Sequence, residues 1–212
     1  MKKVILLIIC LFIFTGCTNL QTANLDNIVS EIQKSKVNIQ NEYRTGFKYY
    51  LPSNIGVVKS TYVNEVLKYQ NTKYYMYIDL VSYYNKKQTN YKINQSAFYS
   101  KDISFDNKPG FIEINLKNEK YLIEIMYNYA KIEVIVDKDM INETVANSLI
   151  ILSSIKYNDD IIENLMGENI LNYHEETFTI FDKVENDSDF LEVIQEYDKY
   201  NEPKIPDYDL IN

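Results

Sequence analysis

Three stretches in the middle of the chain constrain its fold more than any other feature of the sequence. Apolar residues occupy every second position over 112–116, 121–125 and 132–136. A period of two is that of a β-strand with one buried face. Residues 118–119 and 128–130 fit the short turns that join antiparallel neighbours. The pattern therefore predicts an antiparallel meander of three strands.

The period changes to that of a helix on both sides of this meander. Apolar residues at helical spacing predict an amphipathic helix over about 25–41, and a second helix over 141–155 with Asp139 as its N-cap. Further strands, rich in Tyr, Val and Ile, are predicted over 47–51, 57–69 and 74–84. Together these elements indicate an α+β fold, in which a meandering antiparallel sheet packs with an N-terminal helix and a following helix.

The order and proportion of these elements resemble those of the PsbP-like family. Its small secreted or lipid-anchored members place an antiparallel sheet between helices. The resemblance covers residues 25–156 and rests on element order, without a specific motif. It implies a domain that binds or assembles and does not catalyse.

The N-terminus carries the sharpest motif in the chain. Met1-Lys2-Lys3 is a short cationic segment, and the apolar run over 4–14 is too short to span a bilayer as a helix. The run ends in Phe14-Thr15-Gly16-Cys17, which resembles the lipobox of bacterial lipoproteins, although Phe14 stands where the family usually has Leu. The resemblance implies thioether attachment of diacylglycerol to Cys17 and cleavage before it, with palmitate among the acyl chains. A plain secretory signal is the alternative, but an Ala-x-Ala-like site is missing.

The lipobox sets the expected organisation and location of the chain. Residues 1–16 form a lipoprotein signal peptide, 17–24 a lipidated tether, and 25–156 the globular α+β domain. The membrane is then a partner through the Cys17 lipid, and the domain lies on the extracytoplasmic face of the cell membrane. Cys10 leaves with the signal peptide, so the mature chain has no free thiol and no disulfide.

Residues 157–212 differ from the body in charge. They hold 16 acidic residues and three lysines, a net charge of −13, whereas 17–156 has a net charge of +3. Apolar clusters at helix-compatible spacing interrupt the acidic sequence, over 161–165, 178–181 and 190–197. We therefore expect an acidic, partly helical C-terminal extension that docks on the body.

The composition argues against several classes of chemistry. Five Gly and one His in 212 residues exclude a Gly-rich phosphate loop and a cluster of His metal ligands. His174 has no nucleophile nearby in a known motif, and the acidic residues over 182–189 lack the Gly of an EF-hand loop. We predict no catalytic residue, no metal site and no cofactor. A mature chain with 20 basic and 30 acidic residues is a poor match for nucleic acid.

Tyrosines are the best candidates for a binding surface. Tyr75, Tyr77 and Tyr83 lie close together in the predicted strand 74–84, and exposed tyrosine suits peptides or glycans. The alternative is that many of the 20 tyrosines are core residues enriched by AT-rich codon usage. The expected function is a non-enzymatic binding or interaction module of the cell envelope, with a protein or glycan partner. A carboxylate-dependent hydrolase acting on cell-wall material is the main alternative, and a ligand-capturing transporter subunit is a third.

Overall fold

The computed structural model describes residues 20–35, 37–87 and 90–167. The predicted signal peptide, the Cys17 lipidation site and the apolar clusters at 178–181 and 190–197 lie outside the described residues, as do His174 and the acidic stretch over 182–189.

Two antiparallel sheets form the β part of the fold. The strands are β1 (Glu42–Arg44), β2 (Phe47–Tyr49), β3 (Gly56–Ser60), β4 (Asn64–Tyr69), β5 (Thr72–Ile78), β6 (Tyr99–Asp102), β7 (Gly110–Lys117), β8 (Lys120–Tyr127), β9 (Ala130–Val136) and β10 (Lys156–Tyr157). The large sheet has the order β3-β4-β5-β9-β8-β7-β6, and the small one has the order β1-β2-β10. The described strands pair only antiparallel.

Four α-helices accompany these sheets in the described part of the chain: α1 (Leu25–Lys34), α2 (Leu80–Tyr84), α3 (Ile141–Ser154) and α4 (Asp159–Gly167). Short 3-10 helices precede α1, at Leu20–Thr22, and α3, at Lys138–Met140. Helix α3 packs on β8 and β9, and α1 packs beside α3. The predicted α+β class is confirmed.

The predicted meander is present as β7-β8-β9. Asn118 and Glu119 have φ of 49° and 67°, and Asn128 and Tyr129 have φ of 53° and 63°. Two consecutive residues with positive φ are typical of the type I′ turn, whose twist matches that of the strands it joins. The turns set the register, so that Ile114 pairs with Ile123 and Ile125 with Ile132.

The core lies between the large sheet and the layer formed by α1 and α3. Its strand residues are the predicted alternating ones, and Ile123, Ile132 and Val134 are fully buried with Val145 and Leu152 of α3. Each such side chain contributes about 1.5–3 kcal/mol by leaving water. We call the face of the large sheet that carries these residues the inner face.

Three predicted boundaries were wrong, two of them because local hydrogen bonds end or begin an element. Helix α1 stops at Lys34, where the backbone N–H of Ser35 donates to the carbonyls of Glu31 and Ile32; it does not reach residue 41. The strand predicted over 74–84 ends at Ile78, because the carboxylate of Asp79 accepts from the Ser82 N–H (2.8 Å) and starts α2. The strand predicted over 57–69 is two strands, β3 and β4.

The predicted N-cap of α3 was also wrong. Asp139 lies inside the 3-10 helix Lys138–Met140, and Met140 takes the N-cap position without a side-chain cap. The chain enters α3 through this tighter turn, in which the Met140 N–H donates to the Asp137 carbonyl (3.1 Å).

The first part of the acidic extension packs on the body. Strand β10 pairs with β2, and the Asn158 N–H donates to the Gly46 carbonyl (2.8 Å). Helix α4 then begins at Asp159-Asp160, where carboxylates suit the positive end of the helix dipole. Its Ile162 is fully buried in the core. The folded body therefore continues past residue 156, to the end of α4.

Candidate binding face

The large sheet has a second face, whose residues alternate with the core residues. We call it the outer face, because both long helices, α1 and α3, lie on the inner one. The strand register places on it Lys59, Val66, Lys68, Lys73, Tyr75, Tyr77, Phe111, Glu113, Leu122, Glu124, Met126, Lys131, Glu133 and Ile135. Val66, Tyr75 and Leu122 are buried there but do not belong to the core cluster. The outer face thus combines a small apolar centre with charged groups.

Three glutamates form a row across the outer face. Glu113 of β7 pairs with Glu124 of β8, and Glu124 pairs with Glu133 of β9. Like charges directly opposite each other destabilise a sheet. Lys131 offsets this, because its ammonium contacts Glu133 and also Glu124 (3.3 Å). Glu133 is almost fully buried, so this lysine also compensates a desolvated carboxylate.

The Glu113 end of the row is bound by a loop that precedes β6. Tyr91 stacks on Phe111 with ring centroids 4.4 Å apart, and its hydroxyl donates to Glu113. The amide of Asn94 also donates to Glu113 (2.9 Å). Burial alone would raise the pKa of Glu113, but these hydrogen bonds and one from Asn115 outweigh it, so the pKa is lowered. This carboxylate is held ionised by neutral donors.

Two of the three predicted binding tyrosines lie on the outer face. Tyr75 pairs with Glu133 and with Val66 on its two sides, and Tyr77 pairs with Lys131. Tyr75 is only 4% exposed, and burial raises the pKa of its hydroxyl well above the ordinary value. Tyr77 is partly exposed. Tyr75 is therefore a buried packing residue of the outer face, and Tyr77 provides the accessible ring.

Tyr83 lies elsewhere, on α2. Its ring stacks on Tyr157 (centroids 3.9 Å apart) and meets Tyr129 edge-on (5.6 Å), and the Lys86 ammonium lies 3.8 Å from the ring centroid. The Tyr83 hydroxyl donates to Asp159 (2.6 Å), which joins α2 to α4. Burial and then this hydrogen bond raise its pKa to about 12. Through these contacts Tyr83 joins α4 to the body. The structure does not bring Tyr83 together with Tyr75 and Tyr77.

The outer face has a positive end on β3, β4 and β5. Lys68 pairs directly with Lys73, and Lys59 pairs with Val66, the next outer-face position along β4. Lys59 and Lys68 are exposed, and Lys73 is partly exposed. We call Lys59, Lys68 and Lys73 the lysine corner. The outer-face positions of these three strands carry no acidic residue, because the single acidic residue of the strands, Glu65, points to the inner face.

Glu65 is the most deeply buried carboxylate of the inner face, with a side-chain exposure of 0%. Arg44, the only arginine in the sequence, binds it through Nε and through Nη2 (3.3 Å). The hydroxyls of Tyr49 and Ser60 also donate to it. Burial, followed by the charge of Glu65, raises the pKa of Tyr49 well above its ordinary value. A carboxylate with this many donors joins the small sheet to the large one and has no oxygen left for a substrate.

The sequence analysis did not single out the charged residues of the outer face. The signal was present, since Lys131 and Glu133 flank Ile132 and Glu124 lies between Ile123 and Ile125. Alternation shows that these side chains share one face of their strand, but only the register shows that they meet.

Among residues 20–35, 37–87 and 90–167, no group of three or more His, Cys, Asp or Glu side chains is arranged to hold a metal ion. Within the same residues no helix is both long and apolar enough to cross a membrane.

Comparison with known proteins found no protein-family model, curated protein or solved structure that matches this chain. The resemblances to bacterial lipoproteins and to the PsbP-like family therefore stay predictions.

Proposed function

We propose that this protein is a membrane-anchored extracytoplasmic lipoprotein that acts as a non-enzymatic binding module of the cell envelope. Its outer face would be the binding surface for a protein or glycan partner. One observation carries the proposal: α1 and α3 cover one face of the sheet, while the other carries Tyr77 and partly exposed ionic groups. A partly exposed aromatic ring beside satisfied charges is typical of a specific, polar interface.

The position of the first described residues supports an orientation in which the outer face is directed away from the membrane. The carbonyls of Leu20 and Ala23 both accept from the Asn142 amide at the start of α3, each at 2.8 Å. A lipid on Cys17 would be only three residues from Leu20, a reach of about 10 Å. The anchor then enters beside the helical layer, so the outer face would be directed away from the bilayer.

The anchor is tested by Cys17→Ala. The acyl chains would supply nearly all the membrane affinity, so the variant should move from the membrane fraction to the soluble fraction or remain unprocessed. Mass spectrometry of the wild-type protein should find a lipid on Cys17. A wild-type chain without lipid, together with unchanged membrane association of the variant, would contradict the anchor.

The binding surface is tested by Tyr77→Ser with Tyr43→Ser as its matched control. Tyr43 is exposed on β1 and is not part of the outer face. Crosslinking in intact cells should yield the same partner with wild type and with Tyr43→Ser, and at least tenfold less of it with Tyr77→Ser. Equal yields from all three chains would place the interaction elsewhere.

The glutamate row is the feature that the alternative function, a carboxylate-dependent hydrolase acting on cell-wall material, would use. Glycoside hydrolysis needs two carboxylates beside the scissile bond, and Glu124 and Glu133 are adjacent on the outer face. Their shared contact with Lys131 favours a structural role. Incubation of the purified protein with cell-wall material distinguishes the two functions. Release of soluble glycan fragments that is lost in Glu124→Gln would establish the hydrolase.

A further inference from the structure

The lysine corner concentrates positive charge at one end of the outer face. Lys68 and Lys73 are direct cross-strand neighbours of equal charge, an arrangement that costs stability when it is not compensated. Neither lysine has an ion pair with a described residue, in contrast to Lys131 at the centre of the same face. Val58 of the adjoining edge strand β3 is also exposed. The corner therefore joins concentrated positive charge to accessible apolar surface.

The chain itself contains a segment of matching chemistry. Residues 168–212 hold 13 acidic residues and three lysines, a net charge of −10. Phe178, Phe181 and Phe190 supply apolar groups among these acids. The segment follows directly on α4, which Ile162 fixes to the body. It is therefore attached to the domain whose positive corner it complements.

Reach and local concentration favour this occupant. A segment of 45 residues spans at most about 150–160 Å when fully extended, so its length does not confine it to the surroundings of α4. Tethering gives an effective concentration on the order of millimolar. An anionic bilayer is the competing partner for lysines, but the tether at Leu20 lies beside α3, on the opposite side of the sheet.

We propose that the acidic C-terminal segment 168–212 binds the lysine corner of its own chain. The contact combines charge attraction at Lys68 and Lys73 with burial of apolar groups of the segment.

Zero-length carbodiimide crosslinking of the mature chain carrying Cys17→Ala tests the contact. The reagent joins an ammonium to a carboxylate only when the two touch. Lysines of the corner should be joined to acidic residues of 168–212, and 0.5 M salt should reduce the yield several-fold. A mixture of ¹⁴N- and ¹⁵N-labelled chains should give crosslinked peptides of a single label.

Charge reversal identifies the groups responsible. In Lys68→Glu/Lys73→Glu, crosslinks from the remaining Lys59 to the segment should fall at least fivefold. The matched control is Lys48→Glu/Lys138→Glu, which changes two exposed lysines outside the outer face and should leave the Lys59 yield unchanged. Circular dichroism shows that each chain is folded.

Three results would overturn the proposal. The first is a Lys59 yield that charge reversal does not lower. The second is crosslinked peptides of mixed label, which would make a second copy the occupant. The third is absence of crosslinks to 168–212. If the chain then sediments on phosphatidylglycerol vesicles and Lys68→Glu/Lys73→Glu abolishes the sedimentation, a lipid surface is the occupant. None of these results affects the Tyr77→Ser crosslinking experiment, which tests the proposed function separately.

Discussion

Removal of Arg44 should be among the most destabilising single changes in this domain. Arg44 is 21% exposed, whereas the Glu65 side chain that it binds is 0% exposed. In Arg44→Met the carboxylate keeps its hydrogen bonds from Tyr49 and Ser60 but loses the only counter-charge that the described residues give it. Breaking a buried pair by removing one partner costs about 3–5 kcal/mol. The total stability of a domain is about 5–15 kcal/mol, so a large part would be lost.

A double-mutant cycle separates the charge from the packing. Glu65→Gln keeps the volume and removes the charge, and the arginine left behind retains Glu42 (3.0 Å) and the Tyr43 carbonyl (2.9 Å). Its cost should be about 1–3 kcal/mol. In Arg44→Met/Glu65→Gln no buried charge is left unpaired, so the double variant should be more stable than Arg44→Met alone.

Urea unfolding followed by circular dichroism measures these differences. Glu42→Gln is the control, because Glu42 is a partly exposed partner of the same guanidinium and should cost less than about 1 kcal/mol. The large effect of Arg44→Met should persist at 0.5 M salt, since a buried pair is weakly screened. A loss below about 1 kcal/mol for Arg44→Met, or strictly additive effects in the cycle, would refute the argument that Glu65 depends on this arginine.

Three further predictions concern the packing of the body. Ile162→Ala should lower the free energy of unfolding by about 2–5 kcal/mol, because Ile162 is 0% exposed, whereas Ile161→Ala, at a residue 37% exposed, should lower it far less. Equal melting temperatures of the two variants would mean that α4 does not dock on the body. Gly110→Ala should destabilise the domain by about 1–3 kcal/mol, because a Cβ at this position would lie 2.9 Å from a backbone carbonyl oxygen of β8. Gly56→Ala is the control, since a Cβ there meets nothing within 4 Å, and thermal unfolding compares the two variants. The pKa of Tyr83 is raised to about 12, so the stability that its neutral hydroxyl contributes is complete below about pH 10 and falls as the pH rises toward 12. Phenolate absorbance should show that Tyr83 ionises at higher pH than an exposed tyrosine, and titration at the ordinary pKa would contradict its burial.

The proposed orientation gives the two ends of the chain different roles. The N-terminal tether joins the body beside α3, and the acidic segment leaves it after α4. In this proposal, an anchor on the helical side would place the binding surface away from the membrane.

The sequence by itself determined the elements whose pattern is local. Alternation over 112–136 specified the meander, and paired turn residues such as Asn118-Glu119 specified where it reverses, because turn type and side-chain period are properties of a few neighbouring residues. The helical spacing of Ile141 to Leu152 specified α3 for the same reason. Where a short polar contact competed with the pattern, as at Ser35 and Asp79, the boundary was missed.

Only the tertiary structure decided which distant residues meet. Tyr75, Tyr77 and Tyr83 are near one another in the sequence, yet the first two lie on the outer face and the third on α2, because Asp79 ends the strand between them. Arg44 and Glu65 are 21 residues apart and form the buried pair only through the packing of the small sheet on the large one. The lysine corner and the glutamate row likewise result from strand order and register, which depend on how the whole chain buries its apolar residues.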